Sequence, residues 1–370
     1  MKNKKYASIH YSSYLKLDEL LSAQSPRSEL IEGKAAHEEL LFIIVHQVYE
    51  LWFKQINHEL GSVMQLFRKE AVDERKIGVA VERLERVIEI QKLLIQQIRI
   101  METMTPLDFL EFRNYLFPAS GFQSYQFRKM ETMLGLQEEK RITYNNAHYA
   151  SVFNEGQQEE LIELEENGSM SDLIEEWLER TPFLEFSGFN FLEKYKQAVQ
   201  KMIDREMEAI RTSDYLGDKQ KEMRLKMLGD TDSYFRSVLD ENYHNEQVEQ
   251  GNLRFSHKAT IAALLINLYR DEPILHLPYR LLSALLEIDE QLTTWRYRHA
   301  QMVLRMLGKK IGTGGSSGHD YLLRTAMKHH IFYDLHNIST LLIPRSDLPE
   351  LPGDLIKQLG FYYSAKQQSK

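Results

Sequence analysis

Residues 40–53 read LLFIIVHQVYELWF, and the reading of this run decides the fold. Its polar residues Gln47 and Glu50, continued by Lys54, recur at spacings of three and four, which is the repeat of a helix and not of a strand. Everything else in the run is apolar, so the helix is expected to be buried nearly all round. Phe42, His46, Tyr49 and Phe53 then share one face at i, i+4, i+7 and i+11. An imidazole stands in an aromatic stripe.

The same period runs outward in both directions. Only nine prolines and eighteen glycines punctuate 370 residues, and Leu, Glu, Met, Gln and Lys fill the intervals. Helices are expected near 36–68, 74–103, 106–117, 120–135, 170–179, 188–212, 216–240, 257–270, 277–309 and 319–336. Alternating Val, Ile and Thr are essentially lacking, so the fold class is all-α, a helical bundle-type arrangement in a single domain over 1–370. Residues 1–35 form an N-terminal segment. Residues 150–250, richer in Glu and Lys, read as a smaller helical excursion whose patches EELIELEEN and DENYHNEQVEQ are solvated faces or loops. In TPLD, Thr105 is placed to cap a helix that begins at Pro106, with Asp108 reaching back.

Composition excludes whole classes of function. Hydrophobic residues make up 43% and charged residues 27%, the balance of a soluble globular protein. Cysteine is absent, which removes disulfides, thiolate zinc sites, iron–sulfur clusters and a cysteine nucleophile. A net charge of −8 argues against sequence-independent nucleic-acid binding, which needs an excess of Lys and Arg. The opening MKNKKYASIHYSSYLKLDELL has a basic start without an unbroken apolar run, so it fails as a signal peptide. No stretch approaches roughly 18 to 20 consecutive apolar residues, so no membrane span is expected and a cytoplasmic location is the default.

Thirteen histidines are present, most of them among polar neighbours. His46 and His299 are not. Ile288, Leu292, Trp295, His299, Met302 and Met306 form one apolar stripe, and a polar ring turned toward a core costs energy unless something satisfies it. Two readings are open: a core histidine bonded to a carbonyl or carboxylate, or a ligand to a metal or haem iron. Arg113 is similar, since Phe109, Arg113 and Leu116 fall on one helical face. Its guanidinium fork fits a carboxylate, either of an internal Asp or Glu or of a substrate.

Residues 312–318 read GTGGSSG and invite a phosphate-cradle reading, which fails. A P-loop needs Lys and then Ser or Thr after its last glycine, but Gly318 is followed by His319 and Asp320. A dinucleotide turn follows a strand, whereas this loop follows a long helix. A di-iron bundle needs two Glu-x-x-His pairs; Glu241 and His244 make one, in a polar segment, and no convincing second is found. HExxH and GxSxG are absent.

Taken together, YSSYLKLDELLSAQ, HEELLFIIVHQVYELWFKQINHEL, FRNYLFPASGFQSYQFR, WRYRHAQMVLRMLG and KKIGTGGSSG resemble the tryptophan 2,3-dioxygenase family, in the family's order. The resemblance runs from about residue 6 to about 345 and is weakest across 150–250. It implies an all-α homotetramer with one haem b per subunit, and O2 and L-tryptophan as co-substrates. It also implies roles. His299 is the proximal iron ligand, His46 the distal histidine that contacts the indole nitrogen, and Arg113 the partner of the substrate carboxylate. Thr313 holds the amino acid's polar end, Ser120 and Gly121 form the loop near the haem edge, and Phe42, Phe109 and Leu116 line the pocket. Some relatives have Tyr at the position of Phe109, so one hydroxyl contact is missing here. Tyr11, Tyr14 and Leu15 resemble the N-terminal segment that completes a neighbouring subunit's pocket.

The implied reaction inserts both oxygen atoms of O2 across the indole C2–C3 bond, giving N-formylkynurenine and opening the kynurenine route of tryptophan catabolism. In that setting the glycines of GTGGSSG serve a loop that closes over the amino acid, mobile without substrate and ordered with it. Two rivals are a haem sensor without turnover, which has no use for a zwitterion clamp, and a helical scaffold without a cofactor, which would show no Soret band.

Overall fold

The computed structural model describes residues 8–69, 72–142, 148–308, 310 and 318–360, and of 230–233 it describes the backbone alone. Three short helices open the chain: α1 (Tyr11–Leu15), α2 (Leu17–Leu21) and α3 (Arg27–Glu32). Two long ones follow, α4 (His37–Phe67) and α5 (Ile77–Met101), then α6 (Pro106–Phe112) and α7 (Tyr125–Leu134). The middle of the chain holds α8 (Glu155–Glu166), α9 (Met170–Glu179), α10 (Phe191–Thr212), α11 (Asp218–Leu239) and α12 (Glu241–Glu249). It closes with α13 (His257–Leu268), α14 (Pro273–Leu307), α15 (Gly318–Lys328), α16 (Tyr333–Ile338) and α17 (Gly353–Leu359). The all-α expectation holds.

The frame is built by α4, α5 and α14, with α7 against α4 and α15 against α14. One contiguous core runs through it, from Phe53, Ile56 and Leu60 of α4 through Leu84 and Val87 of α5 to Leu285, Ile288 and Leu292 of α14. Each such side chain taken fully out of water contributes about 1.5–3 kcal/mol. Two polar bonds fix the long helices axially. The Tyr49 hydroxyl donates to the Leu94 carbonyl at 2.6 Å, and Gln91 Nε2 donates to the Ile288 carbonyl at 3.2 Å. Among the described residues no helix is long and apolar enough to cross a membrane.

Several boundaries differ from expectation. The TPLD capping box forms as read, with Thr105 and Asp108 satisfying each other's backbone N–H. The helix it opens stops at Phe112, however, and Arg113–Leu116 tightens into a 3-10 turn. The stretch 120–135 likewise splits into a 3-10 turn at Gly121–Gln123 and then α7. Helix α14 starts at Pro273, ahead of the expected 277, and runs through Pro278. The expected helix 319–336 is broken because Asp289, buried on α14, accepts the Ile331 and Phe332 backbone N–H groups at 3.1–3.3 Å. A small hairpin, Glu185–Phe186 (β1) against Phe189–Asn190 (β2), precedes α10. Its turn needs positive φ at both central residues, and Ser187 and Gly188 supply 46° and 84°. The two acidic patches are helical, in α8 and α12, with largely solvated faces.

One expectation is overturned. The first half of α4 is not buried all round: Leu40, Ile44 and Leu51 are exposed, and continuous burial starts only at Phe53. In this part of the helix nothing among the described residues covers the outward face, so Leu40, Ile44 and Leu51 face out while Phe42 and Val45 face in.

A buried ionic hub joins distant parts of the chain. The Glu131 carboxylate on α7 accepts from Arg128 at 2.7 Å, Arg141 at 3.1 Å and Arg296 at 2.7 Å. Burial pushes its pKa up, but the combined attraction of Arg128, Arg296 and Arg141 outweighs that and holds it well below the usual carboxylate range. Arg296 also donates to the His329 carbonyl at 2.9 Å, which ties α14 to the end of α15.

Candidate active site

A second, smaller apolar cluster lies beside the main core. Val45, Met101, Met104, Phe112 and Met306 are buried in it, and Phe42, Phe109, Leu116, Tyr49 and Met302 pack against it. Phe42 is its hub: its ring centroid lies 4.1 Å from His46, 5.7 Å from Phe109 and 5.5 Å from Phe112. The sequence thus brings Phe42, His46, Phe109 and Leu116 to one place from α4, α6 and the 3-10 turn that follows α6. Arg113 is half-buried, at the joint where α6 tightens, and its backbone N–H bonds the Phe109 carbonyl.

His46 and His299 sit differently from ordinary core histidines. His46 Nδ1 lies 2.7 Å from the Phe42 carbonyl oxygen. A carbonyl only accepts, so Nδ1 carries the proton and Nε2 keeps its lone pair. The ring edge stays accessible, yet the surrounding protein desolvates it and lowers its pKa, against the opposing pull of the Phe42 carbonyl. His299, on α14, is pushed down to about 4, by burial first and by the nearby His46 second. His299 feels the charge of His46, and both helices that carry them, α4 and α14, contribute to the same apolar cluster through Phe42 and Val45 and through Met302 and Met306. Both histidines are neutral at pH 7.

His299 Nδ1 is sealed from solvent and meets no hydrogen-bond partner among the described residues. The ring lies against Trp295, at 5.1 Å and 28°. Trp295 is in turn boxed by Tyr49, Phe53 and Phe127 at 6.1, 6.1 and 5.2 Å. A neutral imidazole, clamped by stacking and with its ring nitrogens uncommitted, is in the state that can bind iron. The residues present therefore fit a haem ligand at His299.

Ser120 caps the turn Gly121–Gln123, with Gln123 returning the bond. Thr313 and the rest of 312–317 lie outside the described residues, as does the expectation about their motion. Gly318, the last residue of GTGGSSG, begins α15 and sits beside Val303, one turn beyond His299 on α14. His319 stands 3.3 Å from Asp320, and its Nε2 is buried without a partner among the described residues. Tyr321 packs edge-on against Phe122 at 4.9 Å and bonds Arg128, so the 120–123 turn and the start of α15 are joined.

Tyr11, Tyr14 and Leu15 are not part of this cluster. They are 70%, 71% and 41% exposed on α1. The segment behind them is anchored nonetheless. Buried Glu39 accepts the Arg27 and Ser28 backbone N–H groups at 2.7 and 2.9 Å, which fixes the start of α3 to the first turn of α4.

Sequence reasoning passed over Glu50, which accepts from Ser124 at 2.5 Å, and the Glu131 hub. Glu50 had been read only as part of a polar edge. Locally Glu131 reads as an ordinary i, i+3 pair with Arg128, since its partner Arg296 lies 165 residues away.

Comparison with known proteins agrees with the motifs. The family model described as tryptophan 2,3-dioxygenase matches residues 1–342. A tryptophan 2,3-dioxygenase of Bdellovibrio bacteriovorus is 50% identical over 359 residues, 97% of this chain and 100% of the relative. One from Dictyostelium discoideum is 48% identical, covering 96% of this chain and 89% of the relative. Tryptophan 2,3-dioxygenase B of Danio rerio is 44% identical, covering 97% and 87%. With these matches spanning nearly the whole length, the chain belongs to the tryptophan 2,3-dioxygenase family.

Proposed function

We propose that the protein is a haem-dependent dioxygenase that inserts O2 across the indole C2–C3 bond of L-tryptophan to give N-formylkynurenine. The observation that carries this reading is that the helices bearing His46 and His299 meet at one apolar cluster, with Phe42 against His46 and Trp295 against His299, in a chain of this family. In this reading His299 holds the iron of haem b. The bound haem supplies the redox and spin chemistry that lets O2 react with a closed-shell indole.

The chain's own residues bind and orient. Phe42 and Phe109, stacked at 5.7 Å, form the wall against which the indole lies, with Leu116 beside them. His46 Nε2, left as an acceptor by the Nδ1 bond to Phe42, takes the indole N–H in a hydrogen bond. It is not an essential base: an indole N–H is a very weak acid, and desolvation makes His46 a weaker base than free imidazole. Arg113 pairs with the substrate carboxylate, while Ser120, Gly121 and Thr313 complete the polar end. Holding the indole in one orientation removes much of the entropic barrier, which makes positioning the protein's main contribution.

The working unit in this reading is a cytoplasmic homotetramer of single all-helical domains. Tyr11, Tyr14 and Leu15 reach a neighbouring subunit's pocket, and their exposure on α1 supports that role. The test is anaerobic reduction of haem-supplied protein, addition of tryptophan and O2, and detection of N-formylkynurenine beside the haem spectrum. A Soret band without product would leave a sensor; no Soret band would leave a scaffold.

A further inference from the structure

On α4, His46, Glu50, Phe53 and Asn57 follow one another at i, i+4, i+7 and i+11, which puts them on one helical face. Below His46, every member of that face grips the same neighbour. Glu50 Oε1 accepts from Ser124 Oγ at 2.5 Å. Phe53 packs on Phe127 at 5.4 Å, and Asn57 Nδ2 donates to both the Gln126 carbonyl and its side-chain oxygen at 2.9 Å. These contacts seat the first turn of α7 on the helix that carries His46. Glu50 is the rung nearest the site.

Ser124 is where that rung meets the Ser120–Gly121 loop. The loop is internally stiff: Gln123 N–H bonds the Ser120 carbonyl at 2.9 Å, and Ser124 N–H bonds the Gly121 carbonyl at 3.2 Å. The Ser124 hydroxyl also accepts the Phe127 N–H at 3.3 Å, capping α7. A stiff loop with one pinned end moves as a unit, so the pin fixes all of it. Burial of the Glu50 carboxylate raises its pKa, partly offset by the Ser124 bond, and a carboxylate of this kind is a costly choice for mere packing.

We propose that Glu50 is a positioning residue. Through Ser124 it fixes the Ser120–Gly121 loop relative to His46 and so sets the width of the substrate pocket between them. The inference rests on the reading that His46 and this loop meet L-tryptophan.

The test is steady-state kinetics of the full-length holoenzyme with L-tryptophan. Glu50→Ala is expected to raise KM about tenfold with kcat changed by less than about twofold, the pattern of lost binding and not of lost chemistry. Glu50→Gln should stay near the parent, because its amide oxygen still accepts from Ser124. Glu50→Asp keeps the charge but loses reach, and should raise KM; it also serves if the alanine variant does not fold. Glu50→Ala combined with Ser124→Ala should be no worse than the worse single variant, since both cut one link.

A fall in kcat at unchanged KM would mean less folded enzyme and overturns the proposal. So does a parent-like Glu50→Asp beside an impaired Glu50→Gln, which would make charge the cause. Gly121→Val separates the two layers, because open space surrounds a side chain at that position. If Gly121→Val raises KM and Glu50→Ala does not, the inference falls and the reading of the loop stands. If Gly121→Val leaves KM unchanged, the loop does not meet substrate and both fall.

Discussion

Two groups of histidines lie within this protein, and their rings keep different company. His244, fully buried on α12, has Nδ1 2.7 Å from the Ser237 carbonyl and Nε2 2.8 Å from the Phe255 carbonyl. His257 Nε2 meets the Val238 carbonyl at 2.7 Å, and His329 Nε2 accepts the Ile142 N–H at 3.2 Å. These rings serve as cross-links between segments. His46 commits only one nitrogen, and His299 Nδ1 is sealed without a partner among the described residues. Burial therefore does not mark a site. Nor does one uncommitted ring nitrogen, since His329 Nδ1 is also buried without a hydrogen-bond partner among the described residues; what sets His46 and His299 apart is the company of their rings, Phe42 and Trp295, beside one apolar cluster.

The comparison is sharpest at His299. His299→Ala is expected to lose the haem absorbance band and to lower kcat/KM by at least about 10⁴-fold, near 5.5 kcal/mol. A variant with an unchanged spectrum would remove His299 from the ligand role. The structural group answers in a different currency. Glu131→Gln, which leaves three buried guanidinium groups short of their carboxylate, should cost about 3–5 kcal/mol of stability. Denaturant midpoints measure that loss. A midpoint equal to the parent's would show that the hub is not structural.

His329 gives the same division a pH dependence. Burial, its largest influence, holds its pKa down to about 4, against an ordinary value of 6.5. Below pH 6.5 the unfolded chain takes up a proton that the folded chain refuses until about pH 4. Stability is therefore complete above the unfolded value and falls as pH drops through that window, by about 3 kcal/mol at most. Equilibrium unfolding at a series of pH values should show the slope, and His329→Gln should flatten it. The smallest expected effect is at Arg113, the proposed partner of the substrate carboxylate. Arg113→Ala should lower kcat/KM by about 1.5–3 kcal/mol, the worth of one charge-assisted pair. Unchanged kinetics with tryptophan would return Arg113 to a purely structural place.

How much of this was legible in the sequence follows from the range of each interaction. The TPLD capping box and the stripe from Ile288 to Met306 depend on neighbours within a few turns, and both are present as read. Helix breaks were missed where a distant side chain imposed them, as Asp289 does at Ile331 and Phe332. The exposed front of α4 was misread because apolar composition does not say whether the cover comes from the same chain. At the site, His46, His299 and Arg113 stood out as polar residues in apolar rows. Glu50 and Glu131 did not, because a charged residue on an amphipathic helix looks the same whether it faces water or a partner from another segment.

The Glu39 carboxylate has a mechanical meaning. By gripping the start of α3 it makes the N-terminal arm and the first turn of α4 one rigid joint. His46 lies about two turns further along the same helix, roughly 10 Å away. The stretch that follows Tyr11 and Tyr14 is thereby moored to the same helix that carries His46.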